Sequence, residues 1–484
     1  KVIPISCEIF SNVKTPIEVL RILKNISRHI YMLESIEDNE KWGRYTFLGY
    51  DPKLELACVK GKMTIKNGTT IEMDISHPGK MIKKILADYR SPKLEHLPPF
   101  TGGLVGYFAY DYICYAEPSL KLQAKDEENF KDVDLMLFDK VIAFDNVKQK
   151  IIIMVTVKTD ELEKNYEDAV QTIKKIAKLI IRGDMKKEQP GCLKTEFKPL
   201  FQKDEYCRMV ENAKEYIYQG DIFQVVLSNR LEAEYEGSLL NTYRIMRTTN
   251  PSPYMFYFSS DDMEVAGASP ETLVKLENGV LHTFPLAGTR PRGKDRQEDL
   301  ALEKDLLADE KECAEHNMLV DLGRNDIGKI SNYGTVEVEE YMQVLRYSHV
   351  MHIGSTVRGQ IMDDKTALDA VEAVLPAGTL SGAPKYRAME IINELENNKR
   401  GIYGGAVGYL DFTGNLDTCI GIRLAYKKNG KVFVRSGAGI VADSIPEKEF
   451  QECINKAKAV VEAIKKAQQM AAYEGKENDD DTID

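Results

Sequence analysis

Apolar positions along this chain switch between the two spacings that distinguish strands from helices. Residues 141–157, dense in Val and Ile and interrupted near Asp145-Asn146, predict a β-hairpin. From 160 to 182 the spacing turns helical, with Ile173, Ile176, Leu179 and Ile180 on one stripe and Gly183 as the cap. The polar residues 184–203, with Pro190, Gly191 and Pro199, read as a connection. Beyond it, strand-like runs at 223–231, 254–258, 403–410, 418–426 and 431–435 alternate irregularly with long helical patterns. Asn429-Gly430, between the last two runs, is a strong hairpin-turn signal. The pattern divides the chain into an amino-terminal part at 1–190, a connection at 191–204, a second part at 205–470 and a tail at 471–484. The acidic run 478–484 reads as disordered. There is no internal repeat. No Gly-x-Gly-x-x-Gly or Walker loop is present either, which disfavours a nucleotide-binding parallel sheet.

Two Glu-x-x-Glu pairs, Glu312/Glu315 and Glu449/Glu452, fall where helical stripes should turn inward. Residues three apart on a helix lie roughly 60° apart about its axis, so each pair aims two carboxylates at one spot. Leu319 and Leu322 continue the first stripe. Four carboxylates entering one interior are costly unless a cation neutralises them, and an all-oxygen set suits Mg²⁺ or a similar hard ion. Solvated pairs, the ordinary state of Glu, are the competing reading.

Other segments carry two readings each. Gly378-Thr379-Leu380-Ser381-Gly382-Ala383-Pro384-Lys385 precedes a helix whose core face is Ala388, Ile391, Ile392 and Leu395, with Ser381 a candidate cap and Pro384 in the first turn. Such an end is either an anion site or a plain cap. Ser436-Gly437-Ala438-Gly439 follows a strand and either lets backbone approach a ligand closely or makes a turn. Arg423 lies on the predicted strand 418–426, on the face of Cys419, Gly421 and Ala425, where it is a carboxylate clamp or half of a structural ion pair. In His349-Val350-Met351-His352 a strand would put the two histidines on opposite faces, so they do not share a metal.

Composition narrows the classes. A length of 484 residues suggests two or three domains with ample core, and 43% hydrophobic with 29% charged is globular. The longest strongly apolar stretch, 151–157, is far short of the ~20 residues of a membrane span, and no signal-like segment opens the chain. A net charge of −11, without a Lys/Arg stripe interleaved with aromatics, argues against nucleic acid; an anionic small substrate would need local cations. Eight cysteines lack Cys-x-x-Cys spacing and suit reduced thiols in a cytosol. Cys313 and Cys453, beside the Glu pairs, read as core packing because thiols are poor Mg²⁺ ligands.

Four motifs then carry a specific resemblance. They are Ala314-Glu315-His316-x-Met318-Leu319-Val320-Asp321-Leu322-x-Arg324-Asn325-Asp326, Tyr347-Ser348-His349-Val350-Met351-His352, the Gly378–Lys385 segment, and Tyr403-Gly404-Gly405-Ala406-Val407-Gly408-Tyr409. Together they resemble the chorismate-utilising enzymes, and most closely the synthase components of anthranilate synthases. The resemblance covers roughly residues 205–466. It is weaker at Leu33-Glu34-Ser35, Trp42-Gly43-Arg44-Tyr45 and Gly102-Gly103-x-Val105-Gly106-Tyr107. It implies an α+β fold with two large, mainly antiparallel sheets facing one another, helices outside, and an active site in the carboxyl-terminal part.

Two positions discriminate within the family. Isochorismate and salicylate synthases place a lysine base where this chain has Gln224; ammonia needs no such base, so its loss fits amination. Aminodeoxychorismate synthases, which serve folate synthesis and are the alternative here, carry a lysine at the position of Ala287. The implied reaction adds ammonia at C2 of chorismate as the C4 hydroxyl leaves. The resulting aminodeoxyisochorismate then eliminates pyruvate to give anthranilate. By resemblance, Glu271 is the general acid, His352 assists elimination, and Thr379 completes the catalytic set. Mg²⁺ would bridge the ring carboxylate to Glu315 and Glu452, with Glu312 and Glu449 in support. Tyr403, Arg423, Gly437, Ala438 and Gly439 would hold the enolpyruvyl carboxylate, and Gly288 and Thr289 would line the pocket. The chain lacks a glutaminase nucleophile, so a glutamine amidotransferase subunit is the implied ammonia source and partner. Leu33, Glu34, Ser35, Asn250, Pro251, Pro253, Tyr254 and Met255 resemble a feedback pocket for tryptophan. A homologue that binds chorismate or tryptophan without turnover is the other class, against which the intact Glu271, His352 and Glu pairs count.

Overall fold

Strands from both ends of the sequence meet in each of two sheets. The computed structural model describes residues 1–36, 43–347 and 350–480, with 471–480 as backbone alone; Trp42, Ser348, His349 and residues 481–484 lie outside the described residues. Among these, 13 strands form one sheet and 12 form a second. In the first, Ile30–Glu34 pairs antiparallel with Tyr254–Ser259, placing Glu34 opposite Met255. In the second, Gly103–Phe108 pairs antiparallel with Ala406–Asp411, placing Phe108 opposite Ala406. These two seams join the amino-terminal part to the rest by backbone hydrogen bonds.

Alternation along the seam strands explains the layers. Phe256 and Phe258 pack between the sheets, while Met255 and Tyr257 face the helices outside the first sheet. The inter-sheet layer is aromatic: Tyr31 meets Phe138 edge-on at 4.6 Å between centroids, and Tyr107 meets Tyr426 at 6.3 Å. The α+β arrangement expected from the family resemblance is the one observed.

The predicted hairpin is Lys140–Asp145 paired with Lys150–Lys158, and the predicted helix is Leu162–Arg182. Ile173, Ile176 and Ile180 are buried, each contributing about 1.5–3 kcal/mol. The Gly183 N–H closes the helix on Leu179 O at 2.7 Å. The polar connection holds two short edge strands, Cys192–Leu193 and Lys198–Pro199, both paired with Gln224–Glu236. The final helix runs Pro446–Asp480, so the acidic run up to Asp480 continues it. No helix among the described residues is long and apolar enough to cross a membrane.

Three sequence expectations fail here. Residues 418–426 are not one strand: Leu416–Ile420 belongs to the second sheet and Leu424–Lys428 to the first. Between them a Cβ on Gly421 would lie 2.2 Å from Ile402 O, and Arg423 takes a φ of +50°, so the backbone turns. Ser436–Gly439 makes no turn, because Lys431–Ile440 runs straight through it. The strand expected at 403–410 begins only at Ala406, after a turn at Gly404 with φ +75°.

Gly106 and Gly408 face each other across the second seam with φ of +151° and +155°. A Cβ on either would meet a neighbouring strand's carbonyl oxygen, at 2.0 Å from Asp134 O and 2.1 Å from Asp417 O. Gly106→Ala or Gly408→Ala should therefore destabilise the protein by about 2–4 kcal/mol. A urea midpoint equal to the parent's would show that the seam tolerates a side chain.

Candidate active site

Two of the chain's passages between the sheets lie side by side. Met263–Ser269 lies in the first sheet and Thr272–Glu277 in the second, with Glu271 on the passage; Leu416–Ile420 and Leu424–Lys428 cross the other way, with Arg423 on theirs. The passages are tied together. Ile420 N–H donates to Glu271 O at 2.9 Å, Ala268 N–H to Arg423 O at 3.1 Å, and the Ser269 hydroxyl to Ile420 O at 2.7 Å.

Burial pushes the Glu271 carboxyl up to about 7, although the Thr379 hydroxyl donates to its Oε1 at 3.1 Å and the charges of Arg423 and Lys456 favour the ionised form. Arg423 stays accessible from the cleft, while the protein crowded around it lowers its pKa against the pull of Glu271. A space of about 30 Å³ beside Glu271 and Thr379, lined also by Thr283, Asp326 and Gly378, has room for a molecule the size of water or ammonia.

His352 lies on Val350–Gln360, next to Leu286–Pro291, whose register slips between Ala287 and Arg290. Gly288 takes a φ of +64° in that slip, and its carbonyl oxygen reaches His352 Nδ1 at 2.7 Å; Thr289 Oγ1 lies 3.2 Å from the same nitrogen. A carbonyl can only accept, so Nδ1 carries the proton. Burial, and then Arg423, hold the ring neutral, which leaves Nε2 with a free lone pair.

Thr379 sits on the short turn Gly378–Leu380, where a Cβ on Gly378 would lie 2.7 Å from Leu322 on the helix Glu310–Gly328. Ser381 is not the cap expected of it: its hydroxyl is buried and donates to Ala377 O at 2.8 Å. Pro384 occupies the N-cap of Lys385–Glu396, and Gly382–Ala383 pair with the start of Gln224–Glu236. The Lys385 ammonium is buried on Asp326 at 2.5 Å. This end anchors the helix to the sheet.

Gly437 and Gly439 let side chains approach the strand: a Cβ would lie 2.8 Å from the Tyr403 hydroxyl at the first and 2.6 Å from Gln224 Nε2 at the second. Ala438, between them, turns its methyl into the core behind the strand with Ile391 and Val225.

The Glu pairs are only partly inward. Glu312 and Glu315 are half-buried, and Glu312 Oε1 lies 3.9 Å from Arg290 Nη1. Glu452 is exposed and meets Lys456 Nζ at 2.6 Å, one turn along Pro446–Asp480. Among the described residues no three His, Cys, Asp or Glu side chains converge on a common metal position. The reason is charge: uncompensated carboxylates turn to the cations at hand. Burial and then Glu315 raise the Glu312 pKa, and burial, with Glu452 also contributing, raises that of Glu449. Two strained all-oxygen pairs fit a hard divalent cation, which would relieve both. Lys456 was not foreseen. It also donates to Gly437 O at 3.2 Å, tying the helix of Glu449 and Glu452 to the glycine strand. Its position seven residues after Glu449 on the same stripe was the available signal.

A larger cavity, about 390 Å³, lies elsewhere between the sheets. Leu33, Glu34, Ser35, Pro253, Tyr254 and Met255 line it, within the range of small-molecule pockets. Arg247 holds Glu34 from Nη2 at 3.0 Å, with Tyr243 Oη at 2.5 Å, and the buried Ser35 hydroxyl has no hydrogen-bond partner among the described residues. Asn250 and Pro251 do not line the cavity; Asn250 is the C-cap of Leu240–Thr249.

Glu271 carries a folded-state pKa above its unfolded value, so it binds a proton on folding between about 4.5 and 7, and stability falls as pH rises through that window. Glu271→Gln should remove this penalty, gaining up to roughly 3 kcal/mol above pH 7 and nothing near pH 4. Urea titrations at several pH values check this; a gain independent of pH would place the penalty in another group.

The sequence profile of the chorismate binding enzyme family matches residues 31–462. Anthranilate synthase component 1 of Acetivibrio thermocellus is 47% identical over 476 residues, covering 96% of each chain. That of Aquifex aeolicus is 45% identical over 475 residues, covering 97% of this chain and 96% of the relative. The crystal structure of anthranilate synthase component I from Streptococcus pneumoniae superposes with a TM-score of 0.76 at 38% identity, covering 93% of this chain and 98% of that one. The menaquinone-specific isochorismate synthase of Escherichia coli, at 19% identity and a TM-score of 0.70, shares the fold. Profile, relatives and architecture agree with the motifs, and the chain belongs to the anthranilate synthase component 1 family of chorismate-binding enzymes.

Proposed function

We propose that this chain converts chorismate and ammonia to anthranilate and pyruvate, in the biosynthesis of tryptophan. The carrying observation is Glu271, a half-buried residue whose carboxyl is pushed up to about 7 by the protein around it, hydrogen-bonded by Thr379 and near Arg423 on the neighbouring sheet passage. A group titrating there is protonated often enough to donate to a departing hydroxide and basic enough to be reset. In the first stage ammonia bonds to C2, the C4–O bond breaks, and the Glu271 proton leaves with the oxygen as water. In the second, the C2 proton is lost and the C3–O bond breaks as the ring becomes aromatic; His352, whose Nε2 has no hydrogen bond among the described residues, is the group to accept that proton, and the departing enolpyruvate takes up a proton at its methylene carbon to become pyruvate. Arg423, Tyr403 and the backbone of Gly437 and Gly439 offer one cationic, one hydroxyl and two N–H contacts to a carboxylate. Gln224, near Gly439, supplies no base, which suits a nucleophile that arrives neutral.

Glu315 and Glu452, supported by Glu312 and Glu449, would hold Mg²⁺, whose charge would bind and polarise the ring carboxylate when present. Lys456 would then release Glu452, since a dication outcompetes one ammonium for it. Ammonia would come from glutamine through an amidotransferase subunit in a hetero-oligomer, and the cysteines suit a cytoplasmic enzyme. The purified chain, given chorismate, Mg²⁺ and ammonium at raised pH, should yield anthranilate. Chelation, Glu315→Gln or Glu452→Gln should each cut turnover at least 100-fold without unfolding the protein. Formation of 4-amino-4-deoxychorismate, isochorismate or no product would overturn the assignment, and full activity under excess chelator would overturn the metal.

The larger cavity supports a tryptophan site that spans both sequence halves, with the Ser35 hydroxyl as a free partner for the ligand. An inhibitor acts only through its differential affinity for two states, so tryptophan and chorismate should weaken each other's binding by the same factor. Calorimetric titration of tryptophan with and without chorismate, ammonia omitted, measures it. Equal affinities in the two titrations, or undiminished inhibition in Ser35→Ala, would remove this site.

A further inference from the structure

Arg400 lies behind the active site, its side chain 1% exposed, and each of its three nitrogens donates a hydrogen bond. Nη1 donates to Leu380 O at 2.6 Å, and Nη2 donates to Val226 O at 2.8 Å and Glu396 Oε1 at 2.6 Å. Nε donates to Glu396 Oε2 at 3.0 Å. The guanidinium also stands over two rings, 4.6 Å from the centroid of Tyr110 and 5.6 Å from that of Tyr403. Burial opposes its charge, but Glu396, Tyr110 and Tyr403 together more than restore it.

A buried ion pair is a weak source of stability, often no better than apolar residues of the same volume. What this one touches is more telling. Leu380 follows Thr379, whose hydroxyl holds Glu271. Tyr403 presents its hydroxyl to Gly437, and Val226 lies two residues along the strand from Gln224. We propose that Arg400 is a positioning residue, which sets the Thr379 turn and the Tyr403 ring against the strands that carry Gln224 and Gly437. The proposal rests on the reading of Thr379 and Tyr403 as parts of the catalytic site. A lysine carries the charge but not the fork, so it can keep Glu396 company without gripping both carbonyls and both rings.

The test compares Arg400→Lys, Thr379→Val and the double variant in anthranilate formation from chorismate, Mg²⁺ and ammonium, with near-ultraviolet circular dichroism confirming the fold. Arg400→Lys should lower kcat/KM by about 10–100-fold, mainly through kcat, as expected when a reacting group is displaced by about 1 Å. On the Thr379→Val background the same change should cost at least about threefold less, because the group it positions is already gone. Tyr110→Leu, which removes the nearer of the two rings from the guanidinium, should reproduce the pattern more weakly and serves if Arg400→Lys does not fold. Parent kcat/KM in folded Arg400→Lys, or losses that simply multiply in the double variant, would overturn the proposal. Parent activity in Thr379→Val would instead overturn the reading of Thr379, and the proposal with it. If neither Arg400→Lys nor Tyr110→Leu folds, Arg400 serves the core and the proposal falls.

Discussion

The backbone tie between the two sheet passages is the constraint on which the rest depends. Ile420 N–H on Glu271 O and Ala268 N–H on Arg423 O make the two turns a single unit, so a carboxyl and a guanidinium from positions far apart in sequence are fixed without either side chain holding the other. Each passage leaves one sheet and enters the next, and displacing one would unpair a strand at both ends. The groups proposed to act in catalysis are therefore held by backbone hydrogen bonds between two strand-to-strand passages. The register slip at Gly288 acts similarly, since it bends an edge strand to aim a carbonyl at His352.

Around that frame the protein leaves charge unbalanced where a dianionic substrate and a dication would complete it. Other buried charges are closed on one another: Lys385 sits on Asp326, and Arg400 and Arg435 both sit on Glu396. At the mouth the carboxylates of Glu312 and Glu449 are pushed up by burial and by their own neighbours. A fully self-satisfied network would bind nothing. The contrast separates groups that serve the fold from groups that wait for a ligand.

Much of the fold was legible because its signals are local or shared with relatives. The hairpin 140–158 and the helix 162–182 follow from periodicity, and the sheet architecture follows from the motifs. The passage at Gly421–Arg423 was not legible, because Thr418 to Tyr426 is rich in strand formers and the turn depends on crowding of Gly421 by Ile402, a contact between distant residues. Ser381 failed as a cap for a related reason: its segment is claimed by the strand at Gln224, which no local preference reveals. The inward turn expected of Glu452 failed on electrostatics, since spacing shows which face a carboxylate occupies but not which cation answers it. No sequence pattern marks Arg400, whose burial comes from tertiary packing.

The two seams also bear on how the chain is made. Ile30–Glu34 and Gly103–Phe108 pair early with Tyr45–Tyr50 and Val133–Phe138. Their other edges acquire partners only after residues near 259 and 411 exist, so each strand keeps one open edge while some 200 to 300 further residues are added. At typical synthesis speeds that interval is on the order of tens of seconds, long compared with the microseconds in which hairpins form. Throughout it the nascent amino-terminal part carries these open edges, and Tyr107 waits for Tyr426 to pack against it, although Tyr31 and Phe138 can already meet. The interlocking that makes the finished enzyme one body thus leaves its unfinished chain with open strand edges, the feature that invites pairing with other chains, for as long as the ribosome takes to reach their partners.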